Sequence, residues 1–570
     1  MSNIQYIGAP LGGILATTQD EAQDDDDSWA NQGTISSNLF GVSAAAGSGK
    51  TYAFIKYLVE ESNITSNYCY IAPTVKLAAQ TATNIMEGFR KSRQSDRIKK
   101  IKFITSEHEA KGAVAQVAIP LYGGIGMEVI KQINSCEPDS GTILIFTTQT
   151  FLNIVDMLRG KKYWDIVLDE TFNVISHRVL PLGETLEERS VATAVFDSLV
   201  LIDENDGNRM LPRNAKNLLN SSNDKAKVPF FYRAFNKNLA RELLAPSVIV
   251  KFICKVETEK QGYIHMAAYI KPDCFKGFNS VINLSALLDE TLLYLIWTKV
   301  FSCEFREHDY IQKIVNKNDT HVKQGKYITF YHALHADDTA SQVSMRSSIK
   351  TGKPSKFKGS VAESILDTLA KNYGTAADPI PVCFNKYAGW MDWNTVTKKY
   401  PTLKFIEGSP HGLNTYSEST VIGALCFANY HGVFANWLCK EFPELGMRPK
   451  ELSSKMRFND LYQQAARIAL RDMNNKKDLV VVTGSRADVD RGLGIYHGSR
   501  DGGQLGNIPS LRTLRKSVKV KDGKVDGRTT KARKPTSLQD KIDKLTKKIS
   551  YEKSKGRPIE YLINLRSELV

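Results

Sequence analysis

The sequence predicts an α/β protein with two domains, each built on a parallel sheet. Short apolar segments typical of buried strands alternate with helical segments between residues 38 and 175, and the pattern returns between residues 327 and 483. A glycine-rich loop lies between the first strand and the first helix. At 570 residues the chain is long enough for two or three domains. We therefore expect two parallel sheets covered by helices.

The first domain is expected to contain strands separated by helices. The predicted strands are Leu39–Ser43, Tyr68–Ala72, Lys100–Thr105, Thr142–Thr147 and Asp165–Leu168. The clearest helical segments are Thr74–Lys91 and Gln149–Arg159. Because a helix between successive strands returns the chain to the same end of the sheet, this order predicts parallel pairing.

The glycine-rich loop has the composition of a phosphate-binding loop. It precedes the helical segment Tyr52–Glu60 and consists of Ala44-Ala45-Ala46-Gly47-Ser48-Gly49-Lys50-Thr51. Its glycines would let backbone N–H groups approach a polyphosphate at the positive end of a helix. We expect the loop to bind ATP, Lys50 to reach the β- and γ-phosphates, and Thr51 to hold Mg²⁺. Ala44 replaces the first glycine of the usual pattern, and a chance turn before a helix is the alternative interpretation.

Two carboxylates follow the fifth predicted strand. Asp169 and Glu170 come directly after Asp165–Leu168, at the edge where ligands bind in parallel sheets. Asp169 is expected to hold Mg²⁺ through water, and Glu170 to polarise the water that attacks the γ-phosphate. Taken alone, an Asp-Glu pair is typical of a solvated turn, so this interpretation depends on the phosphate loop.

Residues 176–280 interrupt the alternation. Ser247–Val256 and Tyr263–Ile270 both favour strands, which predicts a β-hairpin inside an insertion. The second domain is expected to contain the strands Tyr327–His332, Ile380–Asn385, Leu403–Glu407, Val421–Phe427 and Leu479–Thr483. Its predicted helices are Ala362–Asn372 and Asp460–Met473.

The chain is strongly basic, with a formal net charge of +15 and a pI near 9.2. This excess favours a polyanionic partner, most simply nucleic acid, with a generally basic protein as the alternative. The eight scattered cysteines form no CxxC pair, which argues against a zinc site or a disulfide framework and fits a reducing cytoplasm. We expect no membrane association, because neither a signal peptide nor a membrane-spanning run is recognisable.

The two ends are expected to lie outside the sheets. Residues 1–37 are predicted to be a flexible acidic tail, and its run Asp24–Asp27 is either solvated or a mimic of nucleic-acid phosphate. Residues 501–536 are predicted to be a basic linker. Residues 537–570 are predicted to form a small helical hairpin that packs on its own protein or binds a protein partner.

Further segments complete a set of motifs in the first half of the chain. Pro73–Gln80 is similar to motif Ia of superfamily 2 helicases, and Thr147–Leu152 resembles their motif Ib. The phosphate loop resembles motif I, and Asp169-Glu170-Thr171-Phe172 resembles the DExx box. The resemblance implies that Pro73, Thr74, Thr147 and Thr148 touch nucleic-acid phosphate, to which helix starts are suited.

A shorter segment of the first half resembles motif III of the same family. It is Leu284-Ser285-Ala286-Leu287, in which Leu287 replaces a threonine. The resemblance implies that Ser285 and Ala286 couple hydrolysis to strand separation. The replacement therefore weakens the expectation of duplex unwinding more than that of ATP hydrolysis.

The second half resembles the family at two places. His411–Tyr416 is similar to motif V, and Gln463, Arg467 and Arg471 are similar to motif VI. On one helix these three side chains share a face. The resemblance implies that Gln463 contacts the nucleotide and that Arg467 and Arg471 complete the catalytic site. Ala466 replaces a glycine, one extra residue separates the arginines, and a solvated basic helix face is the alternative.

The resemblance implies two RecA-like domains, at 38–300 with the insertion 176–280 and at 301–500. They would hydrolyse ATP with Mg²⁺ between them and move on or unwind nucleic acid, with DNA favoured over RNA. We expect a role in replication or recombination. An origin in a phage or mobile element would place the protein in the bacterial or host cytoplasm. The alternatives are a translocase that remodels without unwinding and a non-catalytic nucleic-acid-binding scaffold.

Overall fold

Strands and helices alternate through most of the described chain. The computed structural model describes residues 38–106, 112–119, 124–213, 237–258, 261–338, 340–375, 379–384, 392–406, 416–426, 431–466, 468–472 and 474–515. The strands are β1 (Asn38–Ala44), β2 (Asn67–Ala72), β3 (Ile101–Phe103), β4 (Ile143–Thr147), β5 (Trp164–Leu168), β6 (Ile175–Gly183), β7 (Val200–Asp203), β8 (Arg209–Pro212), β9 (Val248–Glu257), β10 (Gly262–Ile270), β11 (Ser280–Ala286), β12 (Arg306–Glu307), β13 (Ile328–His332), β14 (Ile380–Cys383), β15 (Leu403–Ile406), β16 (Val421–Ala424), β17 (Leu479–Thr483) and β18 (Arg500–Gln504). The helices are α1 (Lys50–Glu60), α2 (Val75–Lys91), α3 (Ile125–Asn134), α4 (Thr148–Ile154), α5 (Leu186–Leu199), α6 (Lys237–Leu244), α7 (Leu292–Lys299), α8 (Asp309–Lys317), α9 (Thr320–Gly325), α10 (Gln342–Arg346), α11 (Val361–Tyr373), α12 (Trp393–Lys399), α13 (Gly432–Glu441), α14 (Pro449–Ala465) and α15 (Arg486–Ile495).

The first sheet is parallel throughout, in the order β12-β1-β11-β5-β2-β4-β3. Hydrophobic clusters pack on both of its faces. Every residue of β2 and β5 is buried, as expected for strands covered on both sides. Each strand predicted for the first domain is present, although β3 covers only Ile101–Phe103 of the predicted segment Lys100–Thr105. β11, which completes this sheet, lies between β1 and β5 and follows the insertion in sequence.

The insertion forms a separate antiparallel sheet in the order β6-β10-β9-β8-β7. β9 and β10 pair as neighbours in it, which confirms the predicted hairpin. Its own hydrophobic cluster includes Phe196 of α5 and Met266 of β10. The insertion therefore has its own core, while Ile175, Ala267 and Tyr269 of its sheet belong to a cluster on the first sheet.

The second sheet is also parallel, in the order β15-β14-β16-β17-β13-β18. The predicted fold class of two parallel-sheet α/β halves is thus confirmed. Strands β14, β15, β16 and β17 correspond to predicted segments, and β13 begins one residue after its prediction. The edge strand β18 contains two glycines and no apolar side chain, so hydrophobic patterning does not identify it.

The predicted limits of the second domain need correction at both ends. β12 pairs with β1, and Ile311 and Val315 of α8 are buried in the first core, so the first half extends beyond residue 300. β18 pairs with β13, so the second sheet extends beyond residue 500. The predicted tail 1–37 and the predicted hairpin 537–570 lie outside the described residues, as does the linker from residue 516 onward.

Helices α13 and α14 connect the cores of the two parallel sheets. Phe434 and Leu438 of α13 are buried in a cluster on the first sheet, although α13 follows β16 of the second. Leu452 near the start of α14 belongs to the same cluster, whereas Phe458 and Leu461 belong to the core of the second sheet. α14 therefore lies across both halves. Among the described residues, none of the helices has the length and apolar character needed to cross a bilayer.

Candidate nucleotide site

The loop from Ala44 to Thr51 joins β1 to α1 at the carboxyl edge of the first sheet. Gly47 and Gly49 have φ angles of 82° and 81°, in the left-handed region that glycine adopts at low cost. Gly49 directly precedes α1. The N–H groups in the first turn of a helix are not used within the helix, so such a junction offers several donors to one anion.

Thr51 and Asp169 meet at this edge. The Thr51 hydroxyl donates to Asp169 Oδ1 at 3.2 Å. Asp169 follows β5 and is only 3% exposed, and Lys50 of the loop is 7% exposed. The second oxygen of Asp169 is buried without a hydrogen bond of normal geometry among the described residues, and the Tyr70 hydroxyl interacts with the Asp169 carboxyl.

The environment of Asp169 disfavours its ionised form. Burial raises the pKa of the Asp169 carboxyl to about 6, and the adjacent Glu170 carboxylate adds to the rise. Hydrogen bonding from the Tyr70 hydroxyl opposes this rise most, followed by the charge of Lys50 and the Thr51 hydroxyl, because each favours the carboxylate. Asp169 is thus an under-coordinated anion that a bound cation would stabilise.

Glu170 is held in a strained backbone conformation. Its φ is 95°, and such a conformation costs a residue with a Cβ about 1–3 kcal/mol. Its N–H donates to Leu284 O at 3.2 Å. Its Oε2 accepts from the Ser285 hydroxyl and from the Ala286 N–H, both at 3.4 Å. Ser285 and Ala286, predicted to couple hydrolysis to strand separation, therefore contact the residue predicted to orient water.

Magnesium would depend on few protein ligands at this site. Within the described ranges, no group of three or more His, Cys, Asp or Glu residues is arranged to hold a metal ion. Thr51 and Asp169 do supply a hydroxyl and a carboxylate, which are the hard oxygen ligands that Mg²⁺ prefers. The unpartnered Asp169 oxygen fits such an ion, which Thr51 and Asp169 would hold.

The residues predicted to touch nucleic acid lie on neighbouring strands. Pro73 and Thr74 follow β2, Thr147 ends β4, and these two strands are paired. The Thr74 and Thr147 hydroxyls accept from backbone N–H groups in the first turns of α2 and α4. The Thr148 hydroxyl donates to Ala72 O at 3.2 Å, which ties the two strand ends together. Their contact with nucleic acid stays a prediction.

The predicted arrangement of motif VI is wrong, because α14 ends at Ala465. Gln463 is half-buried in its last turn, Arg467 lies outside the described residues, and Arg471 ends a separate 3₁₀ turn. Ile468 and Leu470 are both fully buried in the core of the second sheet. This segment therefore lies in the core of the second sheet, and the motif VI residues do not share one continuous helix.

A stripe of three polar side chains on α14 has no counterpart among the site residues predicted from the sequence. Lys455 pairs with Glu290 at 2.6 Å, and the Asn459 side chain donates to Glu290 O at 3.1 Å. The Tyr462 hydroxyl accepts from the Ala46 N–H at 2.7 Å. The spacing of these three side chains is that of one helix face, but it is informative only once the helix start is placed at Pro449. The motif V segment at 411–415 lies outside the described residues.

Comparisons with known proteins add little to this geometry. No family model matches the chain, and no curated protein sequence matches it. Solved structures to which the chain is similar include Dbp5 of S. cerevisiae bound to RNA and ADP BeF3, with 9% identity and a TM-score of 0.30 over 85% of this chain and 89% of that one. A Dbp5 variant with the same ligands has 8% identity and a TM-score of 0.31 over 85% and 88%. A Dbp5 variant bound to a Gle1 variant and IP6 has 9% identity and a TM-score of 0.27 over 85% and 88%. At such values the likeness carries no argument about activity.

Proposed function

We propose that the protein is an ATP-dependent nucleic-acid motor of the superfamily 2 type, with DNA as the favoured track. One observation carries the proposal: the loop residue Thr51 and the carboxylate Asp169 meet across the sheet, beside a strained Glu170 that Ser285 and Ala286 contact. A glycine-bearing helix start, a buried carboxylate and a second carboxylate are the parts that phosphoryl transfer needs.

Different residues of the site would bind the phosphates, hold the metal ion and orient the attacking water. The Gly47–Thr51 segment would cradle the phosphates, and Lys50 would stabilise the charge that develops during transfer. Thr51 and Asp169 would hold Mg²⁺, which supplies further charge stabilisation when it is bound. Glu170 would orient the attacking water. Ser285 and Ala286, which bond to Glu170, would transmit its state to β11 and to the second half.

Steady-state ATP hydrolysis, measured without polymer and with single-stranded DNA, single-stranded RNA or duplex DNA, tests the proposal. We expect at least tenfold stimulation by one polymer, with single-stranded DNA strongest, and a steep loss of stimulation with salt because phosphate contacts release counterions. A rate that is high without polymer and indifferent to all three would contradict the motor. A strongest response to RNA would retain the motor and correct the track.

A translocase that moves without unwinding is the second candidate. Leu287, which replaces the threonine of motif III, packs against the core of the second sheet at a φ of 49°. An apolar contact there ties motif III to the second half without a hydroxyl for hydrogen bonding. Strand displacement and displacement of a bound protein, measured side by side, separate the two candidates: removal of the protein with duplexes left intact would identify the translocase.

Glu170→Gln should separate binding from turnover. The amide oxygen can still accept from Ala286, but the side chain loses the carboxylate that orients water, so we expect turnover to fall about 10²- to 10⁴-fold. Nucleotide affinity should stay within about threefold, since Glu170 is not assigned to the phosphates. The matched control is Glu87→Gln on the exposed side of α2. Unchanged turnover in Glu170→Gln would exclude this residue as the base.

A further inference from the structure

Both backbone polar groups of Ala46 form hydrogen bonds with side chains distant in sequence. Thr320 lies just before the first strand of the second sheet, and Tyr462 lies on α14. The Ala46 N–H donates to the Tyr462 hydroxyl at 2.7 Å, and the Ala46 carbonyl accepts from the Thr320 hydroxyl at 3.0 Å. Ala46 is 3% exposed and belongs to the hydrophobic cluster of the second sheet, and Thr320 is fully buried. Side chains far away in sequence therefore determine the orientation of two consecutive peptide groups in the phosphate loop.

The tyrosine is itself oriented by a histidine. His321 Nε2 lies 2.7 Å from the Tyr462 hydroxyl. Burial lowers the pKa of His321 to about 4, with Asp319 opposing and His497 and Lys50 adding to the fall, so its imidazole is neutral near pH 7. Because the Ala46 N–H already donates to the hydroxyl oxygen, the single hydroxyl proton is directed to Nε2. The Nδ1 atom then carries the ring proton, 3.7 Å from Asp319.

The supporting residues are anchored in the second half. The Tyr462 ring stacks on Tyr496 at 5.9 Å, and the His321 ring packs edge-on against the same side chain at 4.9 Å. The Gln324 side chain on α9, the helix that begins at Thr320, donates to Asp472 O at 2.9 Å. Any displacement of the second half would therefore pull on the Ala46 peptide groups.

The contacted residue precedes the part of the loop expected to hold phosphate. Gly47 and Gly49, with their left-handed conformations, and the first turn of α1 come after Ala46. The hydrogen bonds at Ala46 therefore do not occupy the backbone from Gly47 onward, and they can persist when a ligand binds there. The hydrogen bonds at Ala46 fix the position and direction of the backbone where it enters the turn at Gly47.

We propose that Tyr462 and Thr320 are positioning residues that clamp the Ala46 peptide groups, so that the phosphate loop takes its binding shape only while the second half is docked on it. This inference rests on the nucleotide site proposed above and adds its regulation. By linkage, a nucleotide that binds the clamped loop more tightly also stabilises the docked second half by the same factor.

The test uses the full chain and the variants Tyr462→Phe and Thr320→Val, which keep shape and remove one hydroxyl each. Tyr400→Phe is the matched control, because its hydroxyl donates to Asp367 at 2.7 Å within the second half. Hydrogen–deuterium exchange is read without nucleotide on peptides that contain Ala46. The dissociation constant of ADP with Mg²⁺, and the KM and kcat for ATP, are measured in parallel.

We expect exchange at Ala46 to rise at least fivefold in both variants and not in the control. The ADP dissociation constant and the KM should rise about 5- to 100-fold, with kcat within threefold at saturation, because the loss of a buried hydrogen bond is recovered by excess ligand. In the double variant, the rise of the ADP dissociation constant should be smaller than the product of the two single rises, since both hydroxyls position the same residue.

The exchange and affinity measurements distinguish failure of the clamp from failure of the nucleotide site. Unchanged exchange in Tyr462→Phe overturns the clamp, whatever the nucleotide does. A fall in kcat with constant KM also overturns it, because that pattern assigns the hydroxyl to the chemical step. Wild-type protein that binds no ADP refutes the nucleotide site, whereas its exchange response still decides whether Ala46 is clamped.

Discussion

Lys50→Ala should reduce ATP turnover by about 10²- to 10³-fold or more, the cost of losing one preorganised charge at a transferring phosphoryl group. Lys50 is nearly buried at the first position of α1, and its charge reaches Asp169. No other lysine or arginine lies in the segment Ala44–Thr51 to replace it. Nucleotide binding should weaken as well, because the ammonium interacts with phosphate before and during transfer.

Lys56→Ala provides the matched control for this prediction. Lys56 lies on the same helix and forms an ion pair with Glu60 at 3.6 Å, away from the loop. Its loss should leave turnover within about twofold, since exposed ion pairs contribute little. Circular dichroism of both variants checks that the fold survives. Turnover by purified Lys50→Ala at the wild-type rate would contradict the assignment of the loop as a phosphate site.

The first half could be predicted in detail because its sequence signals are local. Strand β5 is a continuous buried run, and the phosphate loop is defined by two closely spaced glycines and a lysine. Both signals lie within a few residues, so no knowledge of distant partners is needed. The strand β12 carries no such signal, because Arg306 and Glu307 are exposed and only pairing with β1 makes them a strand.

The second half could be predicted less well because its site depends on distant contacts. The spacing of Gln463, Arg467 and Arg471 fits a helix, yet the helix ends at Ala465 and Arg471 lies in a separate 3₁₀ turn. Tyr462 is an ordinary buried aromatic until the fold brings it to Ala46, 416 residues earlier in the chain. A local sequence pattern cannot identify a contact between two residues that lie in separate segments, because neither segment carries information about the other.

Asp169→Asn should abolish ATP turnover. The same substitution should increase the stability of the nucleotide-free protein. The folded-state pKa of Asp169, about 6, exceeds its ordinary value of 3.8, so between these values the folded state binds more protons than the unfolded state. Stability therefore falls as pH rises through that window, by about 1–3 kcal/mol once the carboxyl is fully ionised. Asparagine has the same shape without the charge and should avoid this penalty. Denaturant unfolding at pH 8 and at pH 4 measures the difference, which should vanish at the lower pH.

The same variant should reverse its rank when Mg²⁺ and nucleotide are added. A ligand that binds only the folded state stabilises it by an amount that grows with the logarithm of its affinity, so the wild type should gain more than Asp169→Asn. Asp165→Asn is the matched control, because this buried carboxylate lies at the other end of β5, held by Ser280 at 2.6 Å, and should keep its turnover. If Asp169→Asn proved less stable than the wild type at pH 8 without ligand, its carboxylate would be satisfied by the fold itself. Asp169 could then not be an under-coordinated anion awaiting a cation, and the case for a metal ligand here would be lost.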